Sequence, residues 1–282
     1  MNDFAKTVKQ QVTTALQEDI GSEDITAQLI PEDTQLKVHL ICREQAILCG
    51  TDWFNLSFSL LDSNLKIVWT ASDGDALKEN QTLCEISGNA RSILTGERTA
   101  LNFLQTLSAT ATVTNSYHRL IEKTNCRILD TRKTIPNLRL AQKYAVRCGG
   151  GLNHRTGLYD AYLLKENHLA ACGNMASAVK MARNLKPDVL VEVEVEDLQQ
   201  LQEAINCNVD RVLLDNFDIE MLHQAVEMNN SLLKLEASGD ITQQNILQVA
   251  QTGVDFISIG ALTKHIRAID FSLRFIDYSA LK

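Results

Sequence analysis

The sequence predicts an α/β chain in which a parallel β/α barrel of about six strands follows a smaller N-terminal α+β domain. Two observations carry this expectation. From residue 126 onward, compact runs rich in Val, Ile and Leu recur: CRILDT, DAYLLK, DVLVEVEV, RVLLDN, LLKLEA and FISIG. The last three lie about 22 to 23 residues apart, a usual repeat for a strand and its returning helix. Continuous apolar strands alternating with helical patterns mean a parallel sheet covered on the outside. The second observation is that no GxGxxG follows the first run, which counts against a dinucleotide-binding sheet.

The elements follow in order. Phe4, Val8, Val12, Ala15 and Leu16 recur near helical spacing and predict an N-terminal amphipathic helix. Short strand-like runs follow at Lys37–Cys42, Ala46–Cys49, Lys66–Trp69 and Thr82–Ile86, separated by Asp, Gly, Asn and Ser. From Gly96 to Leu120, apolar positions including Leu101, Leu104, Leu107 and Val113 predict one or two helices. In the later region, helical patterns cover Ile219–Asn229 and Thr242–Thr252. The expected domains are 1–108, joined by 269–282, and a barrel over 109–268.

With 282 residues, 45% apolar and 22% charged, the composition is globular. No uninterrupted apolar stretch is long enough to span a membrane, and the N-terminus lacks the apolar core of a signal peptide. The seven cysteines, at 42, 49, 84, 126, 148, 172 and 207, include no CxxC pair. They read as free thiols in a reducing compartment, so a cytoplasmic protein is expected. Net charge is −8, yet Arg119 to Lys180 holds eleven Lys/Arg against four Asp/Glu. An acidic chain with one basic segment does not suit duplex DNA; it suits a focused site for a small anion. Neither a nucleic-acid nor a membrane partner is expected.

Active sites of such barrels lie at the C-terminal strand ends. Those ends read Arg132-Lys133, Lys165, Glu194, Asp215, Glu236-Ala237-Ser238-Gly239 and Gly260. A charge at a buried strand end costs several kcal/mol, by order of magnitude, unless it is paired, so several converging on one rim suggest a site. In Thr131-Arg132-Lys133-Thr134, Arg offers a planar fork for a carboxylate and Lys a point charge for a phosphate; the alternative is a solvated loop. Gly149-Gly150-Gly151-Leu152-Asn153-His154-Arg155 lets backbone approach a ligand, and His154 could donate a hydrogen bond or a proton. A lone histidine is more often structural. Lys165 could hold an anion or form a Schiff base. Glu192, Glu194 and Glu196 share one face, with Glu194 the best ligand candidate. With Asp215 it could bind ribose hydroxyls or share Mg²⁺; the alternative is an ion pair with Lys133 or Lys165. Small residues after the last two strands, Ser238-Gly239 and Ser258-Ile259-Gly260, free backbone N–H groups for phosphate.

These motifs resemble the quinolinate phosphoribosyltransferase family, also called nicotinate-nucleotide pyrophosphorylase (decarboxylating). The likeness runs in order through ALQEDIGSEDIT (15–26), TGERTALNFLQ (95–105), LDTRKTIPNLR (129–139) and KYAVRCGGGLNHRTGLYDAYLLKENH (143–168). It continues through EVEVE (192–196), LLDN (213–216), EASG (236–239) and SIGALTKH (258–265). The resemblance implies a sandwich-like N-terminal domain, an open, incomplete barrel, and a homodimer with shared sites. Arg98 would reach into the partner subunit's site. Arg132, His154, Arg155 and Lys165 would surround quinolinate. Lys133, Glu194 and Asp215 would be catalytic and meet phosphoribosyl pyrophosphate, with Mg²⁺ near Glu194 and Asp215. Ser238, Gly239 and Gly260 would cradle the 5-phosphate. Thr131, Asp240, Ser258 and His265 fall in the same motifs as substrate-binding positions. Two positions depart from the family pattern: TIPNLR stands for the usual TTPGLR, and Asp240 follows EASG where Gly is usual.

The implied reaction joins quinolinate to phosphoribosyl pyrophosphate, giving nicotinate mononucleotide, pyrophosphate and CO₂ in de novo NAD biosynthesis. Three rivals stay open: a phosphoribosyltransferase for nicotinate or another heterocycle, a Schiff-base lyase using Lys165, and a non-catalytic dicarboxylate-binding protein.

Overall fold

A computed structural model describes residues 3–276. Two compact units divide the chain. One comprises residues up to 115, 135–150 and from 265; the other comprises 116–134 and 151–264. Residues 135–150 thus belong with the first unit, whereas the sequence expectation placed them with the barrel. Residues 277–282, expected to join the N-terminal domain, lie outside the described residues.

In the first unit, α1 (Asp3–Ile20) is the expected amphipathic helix. It lays Val8, Val12 and Leu16 into a core with Trp53, Phe103 and Leu107. The strands are β1 (Gln35–Cys42), β2 (Ala46–Ile47), β3 (Lys66–Trp69), β4 (Ala76–Leu77) and β5 (Thr82–Asn89). An antiparallel sheet runs from the C-terminal strand Phe271–Phe275 through β1 and β5 to β3. Leu36, Val38, Leu40 and Cys42 of β1 alternate inward onto α2 (Thr51–Ser59) residues Phe54 and Phe58. One helix, α3 (Ala90–Ile121), fills the stretch where one or two were expected, since no Pro interrupts it. The last helix of this unit is α4 (Arg139–Cys148).

The second unit carries the strands read from the apolar runs: β6 (Arg127–Leu129), β7 (Tyr162–Leu164), β8 (Val191–Val195), β9 (Arg211–Asp215), β10 (Lys234–Ser238) and β11 (Phe256–Ser258). They form one parallel sheet in the order β6-β11-β10-β9-β8-β7. Among the described residues no ladder joins β6 to β7, so the sheet is open, with six strands as expected. Leu152 adds a parallel bridge to Leu129 at the β6 edge. Val191, Val193 and Val195 are buried on one face and Glu192 on the other, which is why the run reads as continuously buried.

Between strands lie α5 (Glu166–Cys172), α6 (Met175–Leu185), α7 (Leu198–Asn206), α8 (Ile219–Asn229), α9 (Ile246–Gln251) and α10 (Ala261–Lys264). Asn174, Asp197 and Asp218 cap the starts of α6, α7 and α8, each accepting a backbone N–H at 2.8 Å. The helix expected from Thr242 begins only at Ile246. Asn245 accepts the Thr242 N–H at 2.8 Å and donates to the Asp240 carbonyl at 3.1 Å, a local turn that competes with helix.

Candidate active site

Strand alternation places Leu163, Glu192 and Glu194, Arg211, Leu213 and Asp215, Glu236 and Ser238, and Ser258 on one face of the sheet. Most of these, with Thr131, Arg132, Lys133, His154, Arg155 and Lys165, line a cavity of about 390 Å³ in the second unit. Ten of the expected site positions therefore meet in one place. Gly239 and Asp240 line a neighbouring cavity of about 310 Å³ that shares Ser238. Arg98 and His265 belong to the first unit, and both are exposed.

Local bonds fix the loops. Thr131 Oγ1 accepts the Lys133 N–H at 3.0 Å, and Thr263 Oγ1 donates to the Lys133 carbonyl at 2.8 Å. Gly260 leaves room for Lys133, because a Cβ there would lie 2.9 Å from the lysine Cδ. Asp130, fully buried at the end of β6, accepts the His154 N–H at 2.9 Å and the Asn153 amide at 2.6 Å. Leu152 donates to the Ile128 carbonyl at 2.8 Å, so the whole loop hangs from β6. Arg155 Nη1 donates to the Ala161 carbonyl at 3.2 Å. Burial, and then the neighbouring Arg132 guanidinium, lower the Arg155 pKa, so an anion held between the two guanidiniums would be favoured.

Across the cavity, Lys165 Nζ meets Glu194 Oε2 at 2.5 Å, the ion pair weighed in the sequence as an alternative to ligand binding. Asp215 Oδ2 accepts the Asn216 amide at 3.0 Å. Gly239 has φ +104°, and a Cβ there would lie 2.0 Å from Asn216 Oδ1. Only glycine fits so close to the asparagine that orients Asp215.

One expectation needs correction. The glycine run does not bring Gly149 to a ligand: a Cβ there would lie 2.4 Å from the Ala111 carbonyl, so it serves packing against α3. His154 lines the cavity, as expected. Its Nδ1 accepts the Arg155 N–H at 2.7 Å, and its Nε2 lies 2.9 Å from Glu192 Oε2 and 3.6 Å from Glu236 Oε1. At the altered turn, Asn137 takes φ +62°, the left-handed conformation that Asn tolerates in place of the usual Gly.

The sequence reading missed Asp130 and Arg211, and it gave Glu192 and Glu236 no role beyond a shared face and a strand end. Glu192 and Glu236 are fully buried. Arg211 Nη1 donates to Glu236 Oε2 at 3.0 Å, and its guanidinium lies 4.6 Å from the Phe256 ring centre. Burial pushes the Glu192 carboxyl up to about 7, and burial with the Glu192 charge pushes Glu236 up to about 7. The available signal was a charge within or at the border of an otherwise apolar run.

The chemistry of this cavity is clear in outline. Arg132, Lys133, Arg155 and Lys165 line it together with three carboxylates, Glu194, Asp215 and Glu236, and with Ser238 and Ser258. No nucleophile–base triad was read from the sequence, and a multiply charged anion with a phosphorylated sugar fits.

Comparison with known proteins agrees. Residues 24–108 match the N-terminal domain of quinolinate phosphoribosyl transferase, and residues 110–274 its C-terminal domain. A probable nicotinate-nucleotide pyrophosphorylase (carboxylating) of Bacillus subtilis is 39% identical over 257 residues, covering 91% of this chain and 89% of that protein. The chloroplastic nicotinate-nucleotide pyrophosphorylase (carboxylating) of Arabidopsis thaliana is 37% identical over 298 residues, covering 98% and 84%. The solved nicotinate-nucleotide pyrophosphorylase of Francisella tularensis superposes with a TM-score of 0.94 at 50% identity, covering 96% of each chain. The charged cavity, the open six-stranded sheet and these full-length likenesses together make this chain a member of the quinolinate phosphoribosyltransferase family.

Proposed function

We propose that this chain transfers the phosphoribosyl group of phosphoribosyl pyrophosphate to the ring nitrogen of quinolinate, releasing pyrophosphate and CO₂ and giving nicotinate mononucleotide. One observation carries the reading. A single cavity sets Arg132, Arg155 and Lys165 against Glu194 and Asp215, with Ser238 and Ser258 beside them. Cations on that scale exceed what one carboxylate needs and suit a dicarboxylate.

The roles follow from chemistry. Arg132, Arg155 and Lys165 hold the two carboxylates and aim the ring nitrogen at the ribose C1. Lys133 neutralises charge developing on the departing pyrophosphate. Glu194 and Asp215 steady the ribose and the positive charge that grows at C1. Ser238, Gly239 and Gly260 receive the 5-phosphate through backbone N–H groups. Once alkylated, the ring nitrogen is cationic, and its charge stabilises the electron pair left on ring carbon C2 as the adjacent carboxylate departs as CO₂; a proton taken up from solvent then forms the C2–H bond of the product. No separate electron sink is then required.

Glu194 and Asp215 present carboxylate oxygens from adjacent strands, the donor type that Mg²⁺ prefers. They would hold it together with substrate oxygens, where it supplies charge neutralisation for the leaving group. We further place the chain in the cytoplasm as a homodimer, with the exposed Arg98 completing the partner subunit's site. All seven cysteines are free thiols, and among the described residues no helix is long and apolar enough to cross a membrane.

The test is direct. Purified protein is supplied with Mg²⁺, phosphoribosyl pyrophosphate and quinolinate carrying a labelled 2-carboxyl group, and CO₂ and mononucleotide are followed. Equimolar release is expected. Folded protein that makes neither product, or that uses nicotinate as readily as quinolinate, would overturn the reading.

A further inference from the structure

The floor of the cavity holds more carboxylate than the reaction uses. Glu192 of β8 and Glu236 of β10 are both fully buried, and Arg211 of β9 lies between their strands. One oxygen of Glu192, one of Glu236 and one ring nitrogen of His154 all lie within 4.8 Å of one another. The 2.9 Å approach of His154 Nε2 to Glu192 is close but not aligned as a hydrogen bond, and Glu192 accepts none among the described residues. Arg211 Nη1 donates to Glu236 Oε2, and the Ser258 side chain and the Glu192 carboxyl lie beside the same group. Buried carboxylates left in this condition are costly and call for a reason.

The histidine supplies one. Because Nδ1 accepts the Arg155 N–H at 2.7 Å, the ring proton of the neutral imidazole sits on Nε2. Nε2 faces the two glutamates, whose oxygens favour a proton there. The opposite tautomer would set an N–H against the Arg155 N–H. Arg155 is thereby tied to the ring by its backbone and to Ala161 by its guanidinium.

We propose that Glu192 and Glu236 are positioning residues for the transfer reaction: they fix the His154 tautomer and, through it, the backbone of Arg155 at the dicarboxylate side of the cavity. This rests on the function proposed above. In this role the glutamates act through the histidine. A metal ion is the weaker occupant of the same three ligands. With Arg211 already present, a divalent cation would leave a net positive charge buried beside Arg155.

The experiment combines steady-state kinetics with nitrogen NMR of histidine-labelled protein, His154→Gln serving to assign the ring signals. The wild type should show the Nε2–H tautomer. In Glu192→Ala or Glu236→Ala the tautomer should become mixed. The KM for quinolinate should rise at least tenfold while the KM for phosphoribosyl pyrophosphate stays within twofold. Glu192→Gln, which keeps an acceptor oxygen, should restore the quinolinate KM to within about threefold of wild type. An Nδ1–H tautomer in the wild type overturns the proposal, as does an unchanged quinolinate KM in folded alanine variants. Tight Mn²⁺ binding abolished by Glu236→Ala would also overturn it, in favour of a metal site. If the alanine variants do not fold, the wild-type tautomer and the glutamine variant decide. The NMR result needs no turnover, so an inactive wild type would sink the functional reading while leaving the tautomer measured.

Discussion

Gly239→Ala isolates the link between the phosphate turn and Asp215. Gly239 has φ +104°, where a side chain costs about 1–2 kcal/mol. The new Cβ would lie 2.0 Å from Asn216 Oδ1, 2.8 Å from its Cγ and 3.0 Å from its Cα. Oδ1 can swing away, but the Asn216 N–H is bonded to the Ser238 carbonyl at 2.9 Å, which restrains the backbone. Swinging the side chain breaks the 3.0 Å bond from the Asn216 amide to Asp215 Oδ2. That bond is exposed, so its loss adds about 1 kcal/mol. The sum, about 2–3 kcal/mol, lowers Tm by on the order of 6 °C for a chain of this size. Because Asp215 loses its orientation, the KM for phosphoribosyl pyrophosphate should rise at least tenfold while that for quinolinate changes little. Thermal unfolding followed by circular dichroism, with initial rates at varied concentrations of each substrate, gives both numbers. A Tm within 2 °C of wild type together with an unchanged KM for phosphoribosyl pyrophosphate would refute the steric argument.

Three further expectations follow. Glu192 and Glu236 titrate near 7 when folded, against about 4.5 unfolded, so their protonated forms favour the fold. Their contribution is fully present below pH 4.5 and is lost as pH rises through 7, on the order of 3 kcal/mol for one such group. Urea midpoints should therefore fall from pH 5 to 8 more steeply in the wild type than in the Glu192→Gln, Glu236→Gln double variant; equal slopes would contradict this. Arg155→Lys exchanges a planar fork for a point charge and should raise the quinolinate KM about tenfold or more with little effect on Tm, measured by initial rates. Mixing inactive Arg98→Ala with inactive Lys133→Ala under subunit exchange should recover part of the activity, and no recovery would reject the shared site.

The parallel sheet was legible because strands buried on both faces are written as unbroken Val, Ile and Leu runs, with few other ways to fold. The rim was legible for a similar reason: Lys165, Glu194 and Asp215 end their runs, and charge at a strand end stands out. Depth along a strand was not. Glu192 and Glu194 share a face by alternation, yet one is sealed and the other partly open, and that difference depends on what neighbouring strands place opposite them. The glycine run was likewise ambiguous, because close approach to a helix and close approach to a ligand ask for the same residue. The start of α9 was hidden because Thr242 and Asn245 sit on a helical repeat while their side chains favour a turn.

The open sheet has a price that β6 shows how to limit. An unclosed sheet exposes two border strands whose unpaired amides and carbonyls can recruit another extended chain. Both borders, β6 and β7, are only three residues long. At the β6 border, Leu152 donates to Ile128 and accepts from Asp130 at 3.2 Å, occupying groups that would otherwise be free to recruit. The same two bonds haul His154 and Arg155 up to the cavity. Mutations that loosen this loop should therefore couple lost turnover to self-association, two defects that would otherwise look unrelated.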